Sequence, residues 1–338
     1  SQGPQTTIWY PPATKLKSLT TISGTAKETE ANNPGKVNNV KIAIKDLTLG
    51  ASYFNGVYSS SNCWVASEQW IDANGGGALT IIWDYSFAVN YETNVWTDGH
   101  DYTVYAKSWD QTTLNEGAAA NVTFSYDKTA PISSTTFFTD GKFIQPFTTI
   151  SGTCSDDTKT DGVGISLKKD AVYWTGSGDN WLSAEQWPPA ATSGSAPKIF
   201  TKNFDGAWID GKFYYIKSCS TDTAYNVETA PLQKSFTIDS TTPTLTTIKP
   251  VADKYYQKTN LTTISGTSVD LSGTNPGKFN NNPARVCIKN ISTSRYWENN
   301  TWKLWADLSN QPPWQAATWT FYDVAVATAG YWNYQVAE

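Results

Sequence analysis

The chain has 338 residues, a formal net charge of −5, and charged side chains at only 16% of positions. Nothing in that balance offers a basic patch to a phosphate backbone, which argues against nucleic acid as a partner. No apolar run approaches the roughly 20 residues of a membrane-spanning helix, so no membrane insertion is expected.

In chain order, the first predicted elements are strands. Short runs of β-branched and aromatic residues alternate with polar ones between Gly, Asn, Asp and Pro clusters, at about 5–10, 17–26, 38–46, 51–58, 79–89, 101–108 and 119–126. Within the second run stands Thr20-Thr21-Ile22-Ser23-Gly24-Thr25. The same six residues return at Thr148 to Thr153 and at Thr262 to Thr267, each time after a Pro-led, Thr-rich segment. Repeats this far apart mean tandem domains. The boundaries fall at 1–128, 129–240 and 241–338. Each unit has about the size of a small β-sandwich and can bury a core without metal or disulfide help.

Further repeats support this division. Val40, Ile42 and Ile44 match Val163, Ile165 and Leu167, and then Ala284, Val286 and Ile288. Tyr102-Val104-Ala106 matches Tyr214-Ile216-Ser218, and both sets follow an Asp-Gly turn, Asp98-Gly99 or Asp210-Gly211. Helical periodicity is absent, so the fold class is all-β: antiparallel Greek-key sandwiches.

Unit two carries a fuller set of motifs: Thr149 to Thr153, Asp210-Gly211, Asp222-Thr-Ala224-Tyr-Asn226, and Phe236 to Pro243. In these the chain resembles the tandem Ig-like repeats of prokaryotic surface proteins, adhesins and stalks. Unit one departs from the pattern at Asp110 to Gly117. The resemblance covers nearly the whole chain and implies three Ig-like antiparallel β-sandwiches with an extracellular, non-catalytic, mechanical or adhesive role. An oxidising compartment is compatible with four cysteines, and the lack of an initiator Met or signal-like stretch reads as a mature, exported chain.

Sixteen Trp make a sugar-stacking platform worth testing, with Trp64, Trp70, Trp181, Trp187, Trp302 and Trp314 as its residues and surface glycans as the partner. Their recurrence at matching places favours a structural aromatic cluster instead. Asp156, Asp157 and Asp161 share one loop and are weak candidates for Ca²⁺, although their spacing fits no EF-hand. No other cofactor is implied. Cys154 and Cys219 lie on strands that face each other in an Ig-like sandwich, so a disulfide is a candidate, yet Cys219 is out of step with Ile216. His100 stands alone, and no activated nucleophile or acid–base pair can be assembled, so no enzyme is expected.

Unit three holds the remaining expectation. Tyr331 to Val336 matches the penultimate strand of the earlier units, and the closing run does not follow within the 338 residues. A sandwich without its final strand is completed from a second copy, from flanking repeats of a longer chain, or by a rearrangement of its own aromatic set, Trp302, Trp305, Trp314, Trp319, Tyr331 and Trp332. The reading is a structural subunit of a cell-surface array or filament, joined head to tail through Ile8, Trp9 and Tyr10 at one end and Tyr334 and Val336 at the other.

Overall fold

The fold is taken from a computed structural model, which describes residues 3–29, 35–58, 63–88, 92–111, 116–156, 160–195, 197–257, 260–270, 284–298, 301–308, 315–321 and 329–335. Unit one runs through Gln5–Tyr10 (β1), Lys15–Leu16 (β2), Thr21–Lys27 (β3), Val37–Asp46 (β4), Ser52–Phe54 (β5), Trp64–Val65 (β6), Ile71–Ala73 (β7) and Thr80–Ser86 (β8). A single helical turn at Glu92–Val95 (α1) then leads to His100–Asp110 (β9) and Ala120–Tyr126 (β10). One sheet has the order β1-β3-β8; the other runs β2-β10-β9-β4-β5-β6, with β7 also on β4. The two inner faces meet over Ile22, Ile42, Trp83, Trp96, Tyr102 and Phe124, all buried.

Unit two repeats the plan with Ile132–Thr135 (β11), Lys142–Ile144 (β12), Thr149–Ser155 (β13), Thr160–Lys169 (β14), Val172–Trp174 (β15), Trp181–Leu182 (β16), Pro189–Ser193 (β17), Lys198–Asn203 (β18), Phe213–Asp222 (β19) and Gln233–Ile238 (β20). Here β17 pairs with both β14 and β18, so the two sheets join along one side. In both units the short second strand is parallel to the last one, β2 with β10 and β12 with β20. Tyr102 and Tyr214 do the same work in each core. The ring is fully buried, and the hydroxyl accepts the N–H of Thr97 (2.8 Å) or Ile209 (3.2 Å) just before the Asp-Gly turn.

The repeated glycine has a steric cause. Gly24 lies opposite Trp83, Gly152 opposite Phe200 and Gly266 opposite Trp332. A Cβ on Gly24 would fall 1.9 Å from the Thr7 carbonyl and 2.6 Å from the Trp83 ring. The same clash arises at Gly152 (2.2 Å from Ser134 O, 2.3 Å from Phe200) and at Gly266 (2.0 Å from Thr246 O, 2.5 Å from Trp332). The aromatic ring thus fills the space that the missing side chain leaves.

Unit three comprises Thr244–Lys249 (β21), Thr263–Val269 (β22), Arg285–Val286 (β23), Lys289–Asn290 (β24), Arg295–Glu298 (β25), Thr301–Lys303 (β26), Gln315–Ala316 (β27), Thr318–Phe321 (β28) and Ala329–Gln335 (β29). Its main sheet has the order β21-β22-β29-β28. This corrects the expected strand assignment. Tyr331 to Gln335 does not match the penultimate strand: it pairs with β22 and holds the place of β8 and β18. The reason is the glycine rule, since Trp332 is the ring that covers Gly266. Among the described residues, unit three therefore has no counterpart of the β9–β10 or β19–β20 pair, and its core reduces to Ala284, Val286, Ala317 and Trp332 with Ile264, Ile288 and Tyr334 packed beside it. Val336 lies outside the described residues.

Gly24→Ala is expected to destabilise unit one by about 1–3 kcal/mol, because neither the Thr7 backbone nor Trp83 has room to move aside. A lower midpoint in chemical denaturation checks it; an unchanged midpoint would mean the strands part without cost.

Candidate functional site

The polar chemistry of this chain concentrates at the junctions between units. After β10 the linker is tied to the preceding Asp-Gly turn. The Asp98 carboxylate accepts the Lys128 N–H at 2.5 Å and the Thr129 hydroxyl at 2.6 Å. Burial alone pushes the Asp98 pKa up, but these donors outweigh it and hold the carboxyl below its ordinary range. Asp210 repeats the arrangement at the next junction with Ser240 N (2.6 Å) and Ser240 Oγ (2.7 Å).

Across the first junction, the Asp222 to Asn226 turn of unit two receives the linker. The Asp222 carboxylate accepts the Asn226 N–H and its Nδ2, both at 2.8 Å, while Tyr225 adopts a left-handed φ of 65°. Asn226 Nδ2 also donates to the Asp127 carbonyl at 2.8 Å, and Lys17 Nζ of unit one donates to Tyr225 O at 2.6 Å. Ala224 between them is buried, so the motif combines a turn, a core contact and a bridge to the preceding unit.

Asp127, Asp156 and Asp222 offer one carboxylate oxygen each within 4.8 Å of one another, and Asp127 and Asp222 are fully buried. This is the hard-oxygen chemistry that Ca²⁺ takes, in a set of three rather than the usual six to eight oxygens. The expected acidic loop contributes only Asp156 to it. Asp161 is exposed on β14 and outside the cluster, and Asp157 lies outside the described residues. The sequence does not mark Asp127 or Asp222 as site residues, although Asp222 stands in one of the motifs quoted above for unit two.

The equivalent position in unit three is Asp270, 5% exposed, with Thr241 Oγ1 at 3.4 Å. Burial, followed by the nearby Asp239 and Asp210 carboxylates, raises its pKa. Glu28 is the counterpart in unit one and is likewise buried.

The aromatic candidates divide. Trp64 packs into the core, 6.0 Å from Phe54 and 5.6 Å from Tyr102. Trp181 is half-buried beside Phe204, with Lys169 Nζ 4.0 Å above its ring. Trp187 lies under Lys217 (5.2 Å), whose other partner is Glu185 at 2.5 Å. Trp70 lies under Lys107 at 4.5 Å. Trp302 is on β26, and Trp314 lies outside the described residues. At the head of the chain Ile8 packs on the core, while Trp9 and Tyr10 are exposed; Tyr334 is half-buried in unit three.

The disulfide expectation is corrected: Cys154 and Cys219 are both free thiols. Cys154 points between the sheets, whereas Cys219 is out of phase with the buried Ile216, Ser218 and Ser220 of its own strand. No bulge reconciles the two. Cys154 Sγ instead donates to Thr160 Oγ1 and Cys219 Sγ to Glu228 O, each at 3.8 Å, and burial pushes both thiols up in pKa. His100 is engaged by Asp46 at 2.8 Å and stacked on Tyr102.

No family model matches the chain, and no curated protein matches it in sequence. Several solved structures are similar in chain path. The fibronectin(III)-like modules of CbhA from Clostridium thermocellum are 12% identical, with 70% of this chain and 95% of that one covered at a TM-score of 0.32. A chimeric titin Z1Z2 is 8% identical over 72% and 98%, at a TM-score of 0.28. Dimeric latent PorU from Porphyromonas gingivalis is 14% identical over 76% of this chain at a TM-score of 0.24, and this chain spans a quarter of that one. The assignment of Ig-like sandwiches rests on the sheets themselves.

Asn226→Ala is expected to remove about 1–3 kcal/mol of stabilisation and to loosen the first junction. Small-angle scattering should show a broader spread of interunit distances; an unchanged profile would show that other contacts hold it. Ionised Asp270 costs stability, because its folded pKa lies above the unfolded one, so the cost sets in as pH climbs through the carboxylate range toward that raised value. In EDTA-treated protein, Asp270→Asn should raise the melting midpoint at neutral pH and lose that advantage under strong acid. An equal or lower midpoint at pH 7 would contradict the raised pKa.

Proposed function

We propose that this chain is a non-catalytic structural subunit of an extracellular filament or cell-surface array, which joins head to tail by β-strand addition at unit three. The observation that carries this reading is the open inner face of that unit. Thr6 and Ser133 are each 7% exposed because β9 and β19 lie over them, but Leu245 at the same register position is 48% exposed. Likewise Ile264 is half-buried where Ile22 and Ile150 are fully buried. A face so built is completed by strands rather than by a rounded surface, since its template in units one and two is a strand pair.

The stiff first junction supports an array: buried polar bridges fix the angle between neighbours and suit a spacer or stalk. Head-to-tail contact of unlike surfaces propagates into open assemblies. At the opposite end β1 is an edge strand carrying the exposed Trp9 and Tyr10, the surface this reading assigns to a neighbouring copy. No helix among the described residues is long and apolar enough to cross a membrane. The low charge and abundant Thr, Ser and Asn suit the extracellular location proposed here.

Light scattering over a concentration series, with electron microscopy of the concentrated sample, tests the reading. The expected result is concentration-dependent assembly that Leu245→Asp and Trp9→Lys each suppress. A chain that remains a folded monomer throughout would overturn it.

A further inference from the structure

Unit one carries a cleft whose lining is not repeated in unit two. It opens on the outer face of the larger sheet and holds about 540 Å³, lined by Asn38, Asn39 and Lys41 of β4, Lys107 and Trp109 of β9, Trp70 before β7, and Glu116. That volume falls within the range of about 300–1,000 Å³ common to small-molecule sites. Strand register places Lys41 opposite Lys107 and Asn39 opposite Trp109, so all four project on one side of the sheet.

The two lysines face each other, and each is neutralised: Lys41 by Asp72 at 3.3 Å, Lys107 by Glu116 at 2.5 Å. Lys107 also sits over the Trp70 ring, which fixes that indole at the cleft wall. The lining therefore combines two indoles, two side-chain amides, two lysines and one glutamate, and Asp72 beside the cleft pairs with the second lysine.

Unit two provides an internal control. The register aligns Asn38, Asn39 and Lys41 with Asp161, Gly162 and Gly164. It aligns Lys107, Trp109 and Glu116 with Cys219, Thr221 and Val227. Only Trp70 has a like counterpart, Trp187, which closes down on Gly164 with its Cβ 3.1 Å from where a Gly164 Cβ would be. A scaffold role explains the shared Trp. It does not explain why unit one alone places two amides, two lysines, a second indole and a carboxylate where unit two has Asp161, Gly162, Gly164, Cys219, Thr221 and Val227.

We propose that this cleft is a binding site for a neutral oligosaccharide. A pyranose ring presents an apolar C–H face to an indole and hydroxyls to amides, ammonium and carboxylate groups at its rim. Because both lysines are already paired, by Glu116 in the lining and by Asp72 beside it, the cleft holds no unpaired cation for a strongly anionic ligand. The site lies on unit one and uses no residue of unit three, so its failure and the failure of strand-addition assembly are separate results.

Saturation-transfer NMR and calorimetry with the intact chain test the proposal, using maltotriose, cellotriose, mannotriose and chitotriose as neutral probes and a sulfated oligosaccharide as the anionic one. At least one neutral trisaccharide should bind. Trp109→Thr and Lys107→Ala should each weaken it about tenfold or more at an unchanged melting midpoint, and Trp187→Ala should leave it intact. Three results would each overturn the proposal: no neutral probe binding, binding of the sulfated probe alone, or neutral binding indifferent to both unit-one variants.

Discussion

The pairing of a bare glycine with an aromatic ring on the next strand governs how each unit is assembled. Without a side chain at Gly24, Gly152 or Gly266, the outer strand and the ring both close onto the backbone. The ring then reaches the centre of the sandwich, where Trp83 and Phe200 are fully buried. One position thereby sets the register of three strands, since a slip of a single residue would turn the ring outward and pair it with a serine or threonine in place of the glycine. Strand pairing in unit three obeys the same rule even though most of its second sheet differs.

Polar groups are arranged quite differently at the ends of the units. Asp222, Asn226 and Asp127 are removed from water together, and their hydrogen bonds satisfy one another across a covalent linker. A buried polar contact of this kind is specific: it tolerates one angle between neighbours and penalises others. At the second junction burial, with the Asp239 and Asp210 carboxylates adding to it, raises the pKa of Asp270. Glu228 marks how far the two complete units have diverged. In unit two its carboxylate ties Ser133 to Ser220, whereas in unit one Gly117 occupies that place and Thr6 and Ser108 bond directly at 2.6 Å.

Much of the fold was legible because alternation and turn residues are local signals. The runs expected at 38–46 and 119–126 became Val37–Asp46 and Ala120–Tyr126. The Asp-Gly turns lie where the pair predicts, with Gly99 at a φ of 77° and Gly211 at 67°. Less of the candidate site could be read. Asp127 and Asp222 are separated by 95 positions and meet only because two units stack, a relation that no single motif encodes. Alternation gave warning against joining Cys154 to Cys219, and it prevailed. Tyr331 to Gln335 was misplaced because its alternation fits either neighbour of the core; the choice was made by Trp332 seeking Gly266, a contact between residues 66 positions apart.

One detail of the two complete sandwiches bears on how they would respond to being stretched. Near their entry and exit points, Lys15–Leu16 runs alongside Ser125–Tyr126 and Lys142–Ile144 alongside Phe236–Ile238, all in the same direction. Tension applied through the backbone would pull such partners past each other, loading their hydrogen bonds in parallel. Antiparallel hairpins under the same pull peel open one rung at a time. The second sandwich has the longer of these clasps and a strand stitched into both layers, so under a rising force the first should yield before it.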